Sequence, residues 1–229
     1  MSSTNRGAQR QTFDYYATPQ EAIRTFLREW WNDCPEVRAE LEMGGRSILD
    51  PCAGGNQTAI EWEYRPARAG APSETMAVPP TEMAYPAAIR SALGLMAGGT
   101  GLDPTIHTND LRADSPARWH QDFIGREPLP LPAPPDLVIT NPPFAIAMAV
   151  IQEALRVVRP GGWVAMLVRL NFFGSRTRFP FFRDNPPQRS YVHHERIGFT
   201  PDGGTDSIEY QHLVWQRGVK CDATILRVI

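Results

Sequence analysis

The sequence predicts an α/β fold in which a mostly parallel sheet is flanked by helices, and three observations carry that prediction. An apolar run at residues 136–140 (DLVIT) enters the turn Asn141-Pro142-Pro143-Phe144; an amphipathic stretch at 145–158 and a second apolar run at 163–170 follow. That order of strand, turn, helix and strand is the signature of parallel pairing through a covering helix. A shorter apolar run, Ser47-Ile48-Leu49, opens in the same way into a glycine turn at 50–55. Ahead of it, Ile23, Phe26, Leu27, Trp30 and Trp31 recur at helical spacing and are expected to form one buried face.

The remaining elements follow in chain order. Residues 1–12 are small and polar and are expected to be a mobile tail. Thr18-Pro19-Gln20-Glu21 reads as a capping box with proline at the first helical position, so the first helix should begin there. Residues 56–80 show no clear period and are expected to be an insertion or long loop. Residues 81–95 are expected to be helical, with Pro86 in the first turn. Residues 105–108 suit a strand ending at Asn109-Asp110, and Pro160-Gly161-Gly162 stops the helix that follows Phe144. Near the end, residues 205–215 alternate in a way that suits a final edge strand, and Gly203-Gly204 suggests a flexible loop before it. The whole chain is expected to form one domain.

Composition narrows the function classes. The apolar fraction of 42% leaves material for a substantial core and argues against wholesale disorder. A net charge of -2 gives no global case for nucleic acid. The distribution differs, with 12 Lys and Arg against 18 Asp and Glu in residues 1–150, and 11 against 7 in residues 151–229. A local basic patch can neutralise phosphates on an acidic chain, because charges beyond about 8 to 10 Å are screened; solvated surface charge is the other reading. Cys34, Cys52 and Cys221 form no CxxC pair, so neither a disulfide framework nor a zinc knuckle is suggested, and no metal is expected. With no apolar run of signal-peptide or membrane-span type, the expectation is a soluble, cytoplasmic protein.

Two turns carry the chemistry, and in a doubly wound sheet both fall at the carboxyl edge, where such folds bind ligands. Asp50-Pro51-Cys52-Ala53-Gly54-Gly55 lacks the spacing of a dinucleotide or P-loop phosphate cradle. Its small residues would let a ligand approach the backbone, and Asp50 would suit a positively charged amino group; a plain glycine turn is the competing reading. In Asn141-Pro142-Pro143-Phe144 the two prolines fix φ and remove two N–H donors, so the turn is stiff and offers acceptors. An amine needs such acceptors: the Asn141 side-chain oxygen and the Pro142 carbonyl would take its two hydrogens, with Phe144 free to stack on a flat ring. The tripeptide recurs as Asn185-Pro186-Pro187, but no apolar strand precedes it, which assigns that copy to a loop.

DPCAGG followed by NPPF resembles the S-adenosylmethionine-dependent amino-group methyltransferases of DNA, from Tyr15 to Trp215 and with the cofactor motif first. The resemblance implies a Rossmann-like class I methyltransferase fold with a seven-stranded sheet, S-adenosylmethionine as cofactor and adenine in double-stranded DNA as substrate. By that resemblance Asn141, Pro142, Pro143 and Phe144 are catalytic and act on a base flipped out of the duplex. Tyr15, Tyr16, Thr18 and Pro19 match the element that covers the methionine part of the cofactor, and Asp50, Pro51, Cys52, Ala53 and Gly54 match its binding loop. Asp110 is the candidate for the ribose hydroxyls, with Glu61 or Glu63 as competitors, and Asp122 with Phe123 matches the position that reads the cofactor's adenine.

The segment Arg169 to Trp215, with 171–212 as its candidate DNA-facing part, carries Arg169, Arg176, Arg178, Arg183, Arg189 and Arg196 interleaved with Phe172, Phe173, Phe179, Phe181 and Phe182. Core aromatics with solvated arginines are the alternative. His193, His194 and His212 are expected to be core or surface residues rather than metal ligands. Without an obvious separate recognition domain, the expectation is short sequence specificity or a partner subunit for target recognition. RNA adenine, the amine of cytosine, which more often goes with Ser or Asp where Asn141 stands, a protein glutamine side chain, which more often goes with NPPY, and a non-catalytic module of the same fold remain alternative readings.

Overall fold

The computed structural model describes residues 18–64, 74–95, 103–199 and 207–229. The tail at 1–12, Tyr15, Tyr16 and the Gly203-Gly204 loop lie outside the described residues.

Seven strands form the main sheet: β1 (Ser47–Asp50), β4 (Thr105–Thr108), β5 (Leu137–Thr140), β6 (Trp163–Arg169), β7 (Arg189–Val192), β8 (Tyr210–Gln216) and β9 (Ile225–Val228). Their order is β4-β1-β5-β6-β8-β7-β9. Only β8 runs against the rest, pairing antiparallel with β6 and β7, while β1 pairs parallel with β4 and β5, β5 with β6, and β7 with β9. The central strands β5 and β6 are buried almost throughout, as parallel strands covered on both faces must be. Side-chain alternation divides them between two cores. Leu137 and Ile139 face one layer with Ile23, Phe26, Leu27 and Trp30 of α1 (Gln20–Asp33), and with Ile89 of α3 (Ala84–Ala92). Val138, Val164 and Met166 face the other, with Val150, Ile151 and Ala154 of α4 (Ala147–Val157). Each buried Val, Leu, Ile, Phe or Met among them contributes about 1.5 to 3 kcal/mol of burial.

Proline punctuates the helices. Pro35 forces Cys34 out of the helical region, at φ -136, which ends α1 and starts the short α2 (Pro35–Leu41). Pro86 sits in the first turn of α3, where its missing N–H costs nothing. Asn185-Pro186-Pro187 lies in the connection between α5 (Phe179–Asp184) and β7, the loop its context predicted. Among the described residues no helix is long and apolar enough to cross a membrane.

Four expectations need correction. The capping box does not form: α1 starts at Gln20 with no side-chain cap, because the Thr18 hydroxyl is engaged by Asn141 instead. The stretch 56–80 is not irregular throughout, since β2 (Ile60–Tyr64) and β3 (Glu74–Val78) pair antiparallel outside the main sheet. Their neck is closed by backbone hydrogen bonds between Asn56 and Thr81 at 3.0 and 3.1 Å. A hairpin that pairs only with itself carries no strand, helix, strand order, the pattern that marked the main sheet in the sequence. The third correction concerns β8, which is no edge strand but lies between β6 and β7, leaving β4 and β9 at the edges. Its polar residues imitate a solvent face, yet Gln211 and His212 are fully buried and hydrogen-bonded. The fourth concerns the segment 171–212: residues 189–192 and 210–212 belong to the sheet, and Phe172, Phe181 and Phe182 pack on the core beside Trp215.

Candidate active site

The carboxyl ends of β1, β4 and β5 meet around a cavity of about 720 Å³, a volume typical of small-molecule sites. Its walls are the loop 51–55 after β1, residues 109–112 after β4, 121–124, and the elbow 141–146 after β5; the starts of α1 and α3 and the hairpin neck complete it. The two turns singled out in the sequence thus share one cavity, although 86 residues separate Gly55 from Asn141.

The floor is held by a residue not assigned a role from sequence. Asn109, almost fully buried, donates from its side-chain Nδ2 to the carbonyls of Pro51 and Gln121 at 3.0 Å each, and its Oδ1 accepts the Gln121 amide at 3.0 Å. It therefore ties three loops together. Ser115 caps the glycine turn by donating to the Gly54 carbonyl, and Arg112 Nη2 donates to the Gly55 carbonyl at 3.1 Å. All these contacts join residues more than 50 positions apart or bridge two loops, and nothing local in the sequence encodes them. At Gly55, φ is +72, and a Cβ would meet the Thr81 carbonyl oxygen at 3.0 Å and Pro116 at 3.1 Å, so only glycine fits.

Asp110 accepts the Gly54 amide on Oδ2 at 2.8 Å and the Arg112 amide on Oδ1 at 2.9 Å, and it lines the cavity. Glu61 is exposed on the hairpin and is not part of the walls, and the Glu63 side chain lies outside the described residues. Asp122 and Phe123 both line the cavity; Asp122 accepts the Ile124 amide at 3.1 Å, and Phe123 packs on the α4 side of the core. Pro51, Cys52, Ala53 and Gly54 form the wall, whereas Asp50 lies beneath it, fully buried. Asp50 Oδ1 accepts the Cys52 amide at 3.3 Å and Oδ2 has no partner. Burial pushes its carboxyl up to about 7, against the opposing effect of the Thr140 hydroxyl and the Cys52 amide. Burial also holds the Cys52 thiol far above its ordinary range, so it is no ready nucleophile.

At the elbow, Asn141, Pro142, Pro143 and Phe144 all face the cavity. Asn141 Nδ2 donates to the Thr18 hydroxyl at 3.0 Å, which leaves the buried Oδ1 as an acceptor without a partner. Thr18 is in the wall and Pro19 is not. The Phe144 ring is braced from behind: the Arg169 guanidinium lies 4.7 Å from its centroid, and Tyr210 and Phe199 stand at 5.7 and 6.3 Å. None of these three belongs to the cavity wall. Tyr85, in the wall, joins a buried chain in which its hydroxyl meets His212 Nε2 at 2.9 Å and His212 Nδ1 meets His193 Nε2 at 2.9 Å. Both histidines are thus core residues, and burial lowers His193 to about 4.

No family model matches the sequence, and no curated protein matches it. Solved structures do. A Listeria monocytogenes protein solved as a candidate class I S-adenosylmethionine-dependent methyltransferase superposes with a TM-score of 0.54 at 15% identity, over 93% of this chain and 65% of its own. The type IIG restriction endonuclease BpuSI gives 0.54 at 10% identity over 90% of this chain and 26% of its own. The M protein of the type I restriction enzyme EcoKI gives 0.47 at 14% identity, over 81% and 43%. The chain therefore spans less than two thirds of each of these structures. With its strand order and its cavity at the carboxyl edge, the chain has the α/β class I methyltransferase fold.

Proposed function

We propose that this protein is an S-adenosylmethionine-dependent methyltransferase that modifies the exocyclic amine of adenine in DNA. The observation that carries the proposal is the unpartnered, buried Oδ1 of Asn141, presented by a prolyl elbow in the same cavity as the glycine turn. A buried acceptor without a donor costs about 1 to 3 kcal/mol, and an incoming N–H would relieve that cost.

The cavity fits the cofactor. Its volume suits a ligand of that size, the small residues of the wall loop at 51–55 leave its backbone close to the cavity, and Asp110 and Asp122 offer carboxylates on its wall. When bound, S-adenosylmethionine supplies an electrophilic methyl group on a sulfonium sulfur. Asn141 Oδ1 and the Pro142 carbonyl would accept the two amine hydrogens, orienting the nitrogen lone pair along the line of attack. The nitrogen would gain the methyl group as the sulfur departs as a neutral thioether, and would release one of its two protons to water; the Asn141 Oδ1 would stabilise the positive charge that develops on the way. Phe144, braced by Arg169, offers its ring to the base. Catalysis of this kind rests on positioning and preorganised acceptors. Extruding the base costs a few kcal/mol, returned by pocket contacts.

For DNA itself the supports are the NPPF motif and the residues after β6. Arg176 is exposed, and Phe179 and Phe173 are 61% and 37% exposed. RNA adenine and a glutamine side-chain amide would present the same donors and are the alternatives to be separated by experiment. Incubation with methyl-labelled S-adenosylmethionine and DNA, RNA or protein in parallel, with mass spectrometry of the digests, is expected to yield N6-methyladenine from DNA. Asn141→Ala should cut transfer at least about a hundred-fold while calorimetry still detects cofactor binding. Label recovered mainly in RNA or protein, or an undiminished Asn141→Ala enzyme, would overturn the reading.

A further inference from the structure

We infer that Thr18 is a positioning residue which anchors the Asn141 carboxamide at the cavity wall and leaves its oxygen for substrate; the inference rests on the proposed amine transfer.

A side-chain carboxamide held by nothing can rotate, and a hydroxyl can pair with either end of it. The elbow itself supplies no anchor, because the flanking prolines offer no N–H and Oδ1 has no protein donor. The partner that does comes from 123 residues away, where the Thr18 hydroxyl accepts Nδ2 at 3.0 Å. With the amide nitrogen spent in that way, the oxygen is left for an incoming N–H. In the reverse orientation an amine would meet another donor, and both would lose their hydrogen bonds.

Backbone stiffness makes this contact an effective fixture. Thr18 precedes Pro19 and Asn141 precedes Pro142, so both residues are held to the extended region and neither can drift into the adjoining helix. Thr18 is also almost fully buried at the cavity wall, where water competes poorly for its hydroxyl. The same geometry explains why the apparent capping box is not used. A hydroxyl engaged on β5's elbow is not available to the first turn of α1, which starts uncapped.

The test compares Thr18→Val, which keeps shape and removes the hydroxyl, with Thr18→Ser, which keeps the hydroxyl. For Thr18→Val we expect kcat to fall on the order of ten-fold, with cofactor affinity by calorimetry and the melting temperature close to wild type; Thr18→Ser should recover most of the loss. Wild-type turnover in Thr18→Val would overturn the inference. So would a loss confined to cofactor affinity, which would make Thr18 a cofactor contact instead. A readout independent of turnover separates this inference from the function proposed above. In protein labelled with [15N]asparagine, the Asn141 side-chain NH2 signal, assigned by its disappearance in Asn141→Ala, should shift and exchange faster in Thr18→Val but not in Thr18→Ser. An unmoved signal would overturn the inference whatever the reaction is, whereas a shifted signal in a protein that methylates no acceptor would uphold the contact and sink the function.

Discussion

The Asp110 carboxylate holds the Gly54 amide at 2.8 Å across 56 residues of sequence, clamping the loop after β4 onto the glycine turn after β1. Its other oxygen holds the Arg112 amide at 2.9 Å, so one side chain satisfies two buried donors. Asp110→Ala strands both at about 1 to 3 kcal/mol each. The expected result is a melting temperature lower by roughly 5 to 15 °C and cofactor affinity reduced at least about ten-fold, with Asp110→Asn falling between. Differential scanning fluorimetry and calorimetry measure the two effects. An unchanged cofactor affinity in a folded Asp110→Ala protein would remove Asp110 from the binding wall.

Two buried groups make stability depend on pH in opposite directions. Burial raises the Asp50 carboxyl to about 7 from an ordinary 3.8, so between those values the folded protein holds a proton that the unfolded chain releases. Its stabilising contribution is complete below about pH 4 and is lost as pH rises through about 7. His193, lowered by burial to about 4 from 6.5, contributes fully above about pH 6.5 and loses that contribution as pH falls towards 4. The slopes offset each other in the shared window. Asp50→Asn removes one of them, and its melting temperature relative to wild type should climb between about pH 4 and pH 7 and level off above that. A constant difference across that range would show that Asp50 ionises normally in the fold.

The exposed residues after β6 are expected to touch the polynucleotide. Replacing Arg176 by Glu should weaken DNA binding and reduce the slope of log affinity against log salt by about one. Phe179→Ala should weaken binding by about 1 to 3 kcal/mol with the salt slope intact, the mark of lost stacking. Fluorescence anisotropy across a salt series separates these effects. Cofactor binding should not change in either variant, since neither residue lines the cavity.

Local chemistry alone determined several of the strands and helices and where the prolyl elbow falls. Apolar runs of strand length, the helical spacing from Ile23 to Trp31, and prolines that stop helices are short-range signals, and α1, β5, α4 and β6 lie where they indicated. Long-range contacts decided the rest. Thr18 could be read as a cap because a capping hydroxyl and one turned towards Asn141 have the same sequence context, and only the fold brings Asn141 within 3.0 Å. The polar residues of β8 suggested an exposed face because their buried partners, Tyr85, His193 and Ser190, are remote in sequence. Asn109 and Ser115 carried no signal at all, since their role is to join loops that meet only when the parallel strands align. Periodicity and turn chemistry act over a few residues and survive in the bare sequence; the identity of a hydrogen-bond partner is a property of the assembled sheet.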